Sequence, residues 1–274
     1  MAVRDLIDHS PKRRSVLKVL LAGAALPAVA RSARPAPQDS PGRTVRDGMA
    51  FRRLGRTGLL VSEVALGGSP LPDWDLLLRL VERGVNYIDT SHTYDNGNSE
   101  RLIGRLFKAV GRDKVLVCTK FHVEGRWSER TIIASVEGSL RRLGTDAVDV
   151  LSIHGAERAE DLADPRLLAA LDALKAQGKF RFRGLSCHSN HQAVVGAAVD
   201  GGLFDMVQLG YNVFDIQETE TDVRTYADYA GESGIRALID RAHARDVGVI
   251  AMKVLKVGGR RQDLAAVKGG GPSL

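Results

Sequence analysis

Short apolar runs alternate along the chain with longer segments in which apolar residues recur at helical spacing. From residue 49 onward there are seven such runs, at 64–68, 86–91, 115–120, 148–154, 182–187, 206–212 and 248–255. Their apolar residues are mostly contiguous and do not alternate with polar ones. This is typical of strands in a parallel sheet that is covered on both faces. We therefore predict seven buried parallel strands.

Helix-like segments separate the strands. One begins near Ser99, and the others lie at 73–83, 128–143, 165–177, 191–200 and 235–245. The helix at 165–177 has Pro165 at its first position and Gly178 just past its end, as helix termini prefer. Ser99 is predicted to cap the first turn of its helix.

The alternation of strands and helices predicts parallel pairing through right-handed crossovers. A doubly wound nucleotide-binding sheet is disfavoured, because the first run is followed by Ser-Pro-Leu-Pro and not by a G-x-G-x-x-G turn. We therefore predict an α/β fold, a (β/α)8 TIM barrel over residues 49–274. Residues 51–63 are predicted to form a hairpin, with turns at Gly55 and Gly58, that plugs the bottom of the barrel.

The predicted barrel is incomplete. A closed barrel of this type has eight strands, and the pattern supplies seven. The residues after Leu255 are too few for a helix, an eighth strand and a final helix. We therefore expect the eighth strand and the last helices to be absent.

The N-terminal residues are predicted to be a targeting segment. Residues 1–30 match a twin-arginine signal peptide, with the arginine pair at 13–14 and an A-x-A cleavage site at 28–30. The apolar stretch between them is about twelve residues, against the ~20 that a membrane-spanning helix needs. We predict periplasmic export by the twin-arginine machinery, without a stable membrane span. An uncleaved amphipathic helix is the alternative, and residues 31–48 are predicted to be a flexible linker.

The net charge of +6 is concentrated at the start of the chain. Residues 1–30 hold five basic and two acidic residues, a net of +3, which leaves +3 for the remainder and no basic run of five. We therefore predict no nucleic-acid partner. Cys118 and Cys187 lie in apolar runs, and two cysteines provide neither a disulfide framework nor an Fe–S cluster.

Polar residues with catalytic chemistry stand where successive strands are predicted to end. They are Asp89, Lys120, His154 and Ser186, with Gln208 inside the sixth strand and Tyr94 in the loop after the second. In a barrel the carboxyl ends of the strands converge on one mouth, where reactions take place. A buried ammonium is costly unless an anion pairs with it, so we expect Lys120 to pair with Asp89 on the adjacent strand.

These residues favour carbonyl reduction. The Lys120 ammonium is expected to favour the phenolate of Tyr94 and to lower its pKa from the usual value of about 10. A Tyr of this kind can give a proton to a carbonyl oxygen, which His154 can hold by a hydrogen bond. The hydride would come from a nicotinamide cofactor.

The motifs and their order resemble the aldo-keto reductase family over most of residues 51–255. The matching stretches are FRRLGRTGLLVSEVALGG, GVNYIDTSHTYDNGNSERLIG, VLVCTK, SLRRLGTDAVDVLSIH, GLSCHS and GVIAMKVL. The resemblance implies a small carbonyl or alcohol substrate and a catalytic tetrad of Asp89, Tyr94, Lys120 and His154, with Tyr94 as the proton donor. The stretches SHTYDNGNSE and IAMKVL are most similar to a branch of the family that often carries a C-terminal Fe–S extension. This chain has no cysteines for such an extension.

The resemblance also implies an NADP(H) cofactor, with NAD as the alternative, extended across the barrel mouth. Its carboxamide is expected near Ser186 and Gln208. Residues of the last strand, Met252, Lys253 and Leu255, are expected to bind it as well.

Three positions depart from the family pattern. Cys187 stands where the family commonly has Asn, which removes an amide hydrogen bond to the carboxamide. Met252 stands where an aromatic residue often stacks on the nicotinamide, and it packs less rigidly. Lys253 replaces a small polar residue and is expected to meet the pyrophosphate.

Two other functions remain as alternatives. A metal-dependent barrel hydrolase would use histidines near strand ends, and the chain offers His92, His122, His154 and His188. Such enzymes usually begin with an H-x-H pair on the first strand, where this chain has Gly67-Gly68. The other alternative is a truncated barrel that keeps the tetrad but is non-catalytic or acts as an accessory subunit.

Overall fold

The computed structural model describes residues 42–122, 128–211 and 234–254. A small antiparallel sheet comprises β1 (Arg43–Arg46), β2 (Met49–Arg53) and β3 (Leu60–Ser62). A larger sheet of seven strands comprises β4 (Leu66–Gly67), β5 (Tyr87–Asp89), β6 (Leu116–Phe121), β7 (Val148–Ile153), β8 (Phe180–Cys187), β9 (Met206–Gly210) and β10 (Gly248–Met252). Its order is β10-β9-β8-β7-β6-β5-β4, and every neighbouring pair is parallel.

Helices connect most of the parallel strands within the described residues. They are α1 (Trp74–Glu82), α2 (Asn98–Val110), α3 (Glu129–Leu143), α4 (Pro165–Ala176), α5 (His191–Gly201) and α6 (Ile235–Ala244). Side-chain caps explain where two of the helices begin. Asp73 accepts a hydrogen bond from Leu76 N at 2.9 Å at the start of α1, and Ser128 forms a capping box with Thr131 at the start of α3. The predicted parallel α/β architecture is confirmed, with the seven predicted strands of a (β/α)8 barrel in the described residues. No helix of the described ranges combines the length and apolarity required to cross a membrane.

The β2–β3 hairpin closes the amino-terminal end of the large sheet. Its buried residues Leu54, Leu59 and Val61 pack with residues from the inner face of four parallel strands, Tyr87, Cys118, Val150 and Met206. A short 3-10 turn at Gly55–Thr57 joins β2 to β3 and lies against the start of β10. The predicted plug is confirmed, with a third strand, β1, added to it.

The linker prediction for residues 31–48 is wrong at its end. Residues 43–46 form β1, which pairs antiparallel with β2. The connection is the dipeptide Asp47-Gly48, with φ values of 48° and 80°, the backbone that a two-residue hairpin turn requires. Residues 31–41 of the predicted linker and the predicted signal peptide at 1–30 lie outside the described residues.

Two glycines of the plug offer a matched test of its docking. Both have positive φ, 48° at Gly55 and 68° at Gly58. A Cβ at Gly55 would overlap the backbone of Gly248 and lie 2.6 Å from Asp246 O, whereas one at Gly58 has no atom within 4 Å. We expect Gly58→Ala to cost ~1 kcal/mol of unfolding free energy, from backbone strain alone. Gly55→Ala should cost a further ~2 kcal/mol from overlap, measured by urea denaturation. Equal losses in the two variants would contradict the docking of the plug on β10.

Candidate active site

Three of the predicted catalytic residues lie at the carboxyl ends of adjacent parallel strands. Asp89 is the last residue of β5, Lys120 is near the end of β6, and His154 directly follows β7. The strands lie in the order β5-β6-β7, so the three side chains share one edge of the sheet. This is the edge that carries the reaction site in barrel enzymes.

The predicted tetrad is brought together around the ammonium of Lys120. Lys120 Nζ donates to Asp89 Oδ2 at 2.6 Å, to Thr90 O at 3.0 Å and to Tyr94 OH at 3.2 Å. On the other side of the phenol, Tyr94 OH lies 3.5 Å from His154 Nε2. Lys120 is only 1% exposed, so its charge acts on these partners with little screening by water.

Asp89 keeps the buried lysine charged. Burial is the largest single influence on Lys120 and by itself lowers its pKa. The carboxylate of Asp89 and other nearby groups outweigh it and raise the pKa of Lys120 to about 12. The amine is therefore an ammonium at any neutral pH and can only donate hydrogen bonds.

The pKa of Tyr94 moves in the direction opposite to the sequence prediction. Burial of the phenol raises the pKa of Tyr94, and the Lys120 ammonium opposes that rise without overcoming it. The predicted lowering is therefore wrong, because the sequence does not reveal how deeply the ring is buried. The phenol is protonated at neutral pH and has a proton to give.

His154 is neutral at neutral pH. Burial, followed by the nearby charge of Lys120, lowers its pKa to about 3. A neutral imidazole carries one N–H and one lone pair. His154 can therefore donate a single hydrogen bond, and its tautomer decides which nitrogen does so.

The loop that carries Tyr94 is anchored by buried polar contacts that the sequence did not predict. Glu100, fully buried, accepts from Thr119 Oγ1 at 2.6 Å and from Arg142 Nε at 2.6 Å. Ser99 Oγ lies 2.7 Å from Thr90 Oγ1. Helix α2 has Gly97 at its N-cap, so the prediction that Ser99 caps it is wrong. Glu100 thus holds the far end of the loop against β6 and α3, and the Ser99–Thr90 contact joins the two ends of the loop.

Ser186 and Gln208 lie side by side further along the same edge. They are paired neighbours in β8 and β9, and both are buried. Gln208 is 6% exposed, and its Oε1 has no hydrogen-bond partner among the described residues. An unpaired buried carbonyl beside a hydroxyl fits a carboxamide group, which both donates and accepts. The chain therefore fits a nicotinamide at this position.

Of the other three predicted cofactor-binding residues, the structure describes Met252 and Lys253. Met252 ends β10 and is partly buried, and Lys253 Nζ lies 3.1 Å from His188 Nδ1. Leu255 lies outside the described residues. Cys187 is fully buried, and its thiol donates to Ser189 O at 2.8 Å.

Three further histidines, His92, His122 and His188, lie near His154 of the tetrad. The ring centroids of His122 and His154 are 4.3 Å apart, those of His92 and His122 5.5 Å, and those of His154 and His188 6.3 Å. His92 Nδ1 lies 3.0 Å from the carbonyl oxygen of Lys120, so this nitrogen donates. Nowhere in the described part of the chain are three or more His, Cys, Asp or Glu side chains grouped so that they could hold a metal ion.

The chain belongs to the aldo/keto reductase family, whose model matches residues 73–266. It is 32% identical over 192 residues to the aldo-keto reductase AMT2 of Alternaria alternata, across 53% of this chain and 52% of that one. It is 30% identical over 225 residues to the L-galactose dehydrogenase of Arabidopsis thaliana, across 76% of this chain and 66% of that one. The chain thus spans between about half and two thirds of the length of these curated relatives.

Solved structures show the same fold. PA4992 of Pseudomonas aeruginosa, a crystal structure assigned to the aldo-keto reductases, superposes with a TM-score of 0.59 at 28% identity, over 76% of this chain and 79% of that one. An aldo-keto reductase of Klebsiella pneumoniae in complex with NADPH superposes with a TM-score of 0.54 at 22% identity, over 73% and 66%. The second likeness concerns the fold alone.

Proposed function

We propose that the chain is an NAD(P)H-dependent carbonyl reductase and alcohol dehydrogenase of the aldo-keto reductase type. One observation carries the proposal: Lys120 Nζ contacts both Asp89 and the hydroxyl of Tyr94, with His154 on the far side of that hydroxyl. This arrangement joins a proton donor, a charge that stabilises its conjugate base, and a neutral hydrogen-bond donor around one small volume.

In the proposed reaction, Tyr94 gives its proton to the carbonyl oxygen of the substrate. The phenolate that results lies 3.2 Å from the Lys120 ammonium, which stabilises it, and Asp89 keeps that ammonium charged. His154 donates its single N–H to the same carbonyl oxygen. A nicotinamide held by Ser186 and Gln208 would supply the hydride to the carbonyl carbon, so that C=O would become CH–OH. Tyr94 would then recover its proton from solvent.

Residues on neighbouring strands support the nicotinamide. Ser186 and the unpaired Oε1 of Gln208 would hold the carboxamide, and Met252 and Lys253 lie at the end of the last described strand. NADP is the cofactor that we propose from the family resemblance, with NAD as the alternative. The substrate class is a small carbonyl compound or alcohol, and relatives include L-galactose dehydrogenase and the versiconal hemiacetal acetate reductase of Aspergillus parasiticus.

A non-catalytic or accessory barrel is the second candidate. The chain is 29% identical over 195 residues to a probable voltage-gated potassium channel subunit beta of Oryza sativa, of which it covers 58%. A chain that keeps the tetrad but cannot hold the cofactor would fit this alternative.

Cofactor titration separates the two candidates. We expect NADPH to quench the protein fluorescence saturably, and we expect the protein to oxidise NADPH when 4-nitrobenzaldehyde is added. Gln208→Leu should weaken NADPH binding about ten-fold, because it removes a hydrogen bond worth ~1.4 kcal/mol. The matched control is Gln177→Leu, at the exposed C-terminal cap of α4, where affinity should not change. Absence of saturable quenching would refute the reductase proposal and favour the accessory barrel.

A further inference from the structure

His154 faces Tyr94 with one ring nitrogen and Ser91 with the other. Nε2 lies 3.5 Å from Tyr94 OH, and Nδ1 lies 3.1 Å from Ser91 Oγ. A neutral imidazole has one N–H, so one nitrogen donates and the other accepts. The hydrogen bond made by one nitrogen determines which role the other takes. Ser91 is therefore placed to decide what His154 presents to the reaction.

Ser91 is fully buried, and its remaining contacts restrict its hydroxyl. Ser91 Oγ accepts from the backbone N–H of Thr93 at 3.4 Å and lies 3.1 Å from Thr93 Oγ1. Two proton arrangements satisfy all of these contacts. In the first, the Thr93 hydroxyl donates to Ser91, and Ser91 donates to Nδ1. In the second, Nδ1–H donates to Ser91, and Ser91 donates to Thr93.

Only the first arrangement suits a carbonyl substrate. A carbonyl oxygen accepts hydrogen bonds and has none to give, so it needs an N–H on Nε2. In the second arrangement Nε2 presents a lone pair, which repels the carbonyl oxygen and competes for the proton of Tyr94. Because Lys120 already donates to Tyr94 OH, the first arrangement leaves that proton free for the substrate.

We propose that Ser91 is a positioning residue that holds His154 in the Nε2–H tautomer by donating to Nδ1, with Thr93 donating to Ser91 in turn. Ser91 touches neither substrate nor cofactor and acts only through His154. This inference rests on the proposed carbonyl reduction for its direction, but the tautomer can be measured without any reaction.

The direct test is the protonation pattern of the imidazole. Protein labelled with 15N-histidine is examined by two-bond 1H–15N correlation spectra, and the signals that vanish in His154→Asn are assigned to His154. We expect the Nε2–H pattern in the wild type and a mixed or Nδ1–H pattern in Ser91→Ala. The Nδ1–H pattern in the wild type, or an unchanged pattern in Ser91→Ala, would overturn the inference. Ser152→Ala is the matched control, since it removes a buried hydroxyl that contacts Cys118 and not His154.

Kinetics give a second, independent reading. Ser91→Ala should lower kcat for 4-nitrobenzaldehyde about 10–100-fold, the usual loss when an outer partner of a functional histidine is removed, with NADPH affinity unchanged. Ser91→Cys keeps a weak donor and should recover part of that loss. Loss of kcat with an unchanged tautomer would count against Ser91. A wild type that shows the expected tautomer but reduces no aldehyde would refute the proposed function and leave the tautomer assignment standing.

Discussion

Replacement of Tyr94 by Phe is expected to lower kcat for aldehyde reduction about 1000-fold, within the 10²–10⁴ range that a positioned general acid contributes. The change removes only the hydroxyl that lies between Lys120 Nζ and His154 Nε2. The ring stays, and so does its packing. Binding of NADPH should therefore be unchanged, because Ser186 and Gln208 lie on other strands.

Tyr87→Phe is the matched control for that experiment. Tyr87 is fully buried and packs with Leu54, Leu59 and Val61 of the plug hairpin, and its hydroxyl takes part in none of the hydrogen bonds of the tetrad. Its removal should leave kcat unchanged. Stopped-flow or steady-state oxidation of NADPH measures kcat, and fluorescence titration measures affinity. If Tyr94→Phe lost NADPH binding and turnover in the same proportion, Tyr94 would be a binding residue and its role as proton donor would be wrong.

Lys120→Met is expected to remove both activity and stability. It deletes the ammonium that stabilises the phenolate, so kcat should fall at least ~100-fold. It also leaves the carboxylate of Asp89, 7% exposed, without its cation. Breaking a buried ion pair from one side costs ~3–5 kcal/mol of unfolding free energy. Urea denaturation of the purified variant measures that loss.

A double variant separates the two effects. Asp89→Asn combined with Lys120→Met removes both charges, so it should recover most of the lost stability but none of the activity. Lys175→Met, on the exposed surface of α4, controls for the loss of a lysine and should change stability by less than ~0.5 kcal/mol. A double variant that is as unstable as Lys120→Met would show that the pair does not interact as described.

Most of the secondary structure could be predicted because local signals and burial agree. The helix predicted at 165–177 is observed at Pro165–Ala176, where Asp164 accepts from Arg166 N and Pro165 starts the first turn. The first strand of the barrel is shorter than the predicted range of 64–68. It pairs only at Leu66–Gly67 and lies at the edge of the sheet, and Val64 is 59% exposed. An apolar residue such as Val64 can thus lie exposed outside the sheet, and the sequence around it does not reveal its exposure.

That Asp89, Tyr94, Lys120 and His154 meet could be predicted, because three of them stand at strand ends along one edge of the sheet and Tyr94 follows in the next loop. The residues that support it could not. Ser91, Ser99 and Glu100 belong to a stretch rich in turn formers, which in sequence is indistinguishable from a solvated loop. Their partners are spread along the chain: Ser91 contacts His154, Ser99 contacts Thr90, and Glu100 contacts Thr119 and Arg142, the last of them 42 residues from Glu100. The direction in which the pKa of Tyr94 shifts could not be predicted for the same reason, since its burial depends on residues distant in the sequence.

The plug hairpin has a consequence for the order in which the protein is made. Arg53 pairs with Asp246 at 2.7 Å, and the two are separated by 193 residues. At a synthesis rate of about 5–20 residues per second, Arg53 is made roughly 10–40 s before Asp246. Leu54, which lies against Gly248, lacks that cover during this time. The segment translated early is therefore among the last to reach its final position, and nascent chains halted before residue 246 should bind hydrophobic dyes and chaperones that release the finished protein.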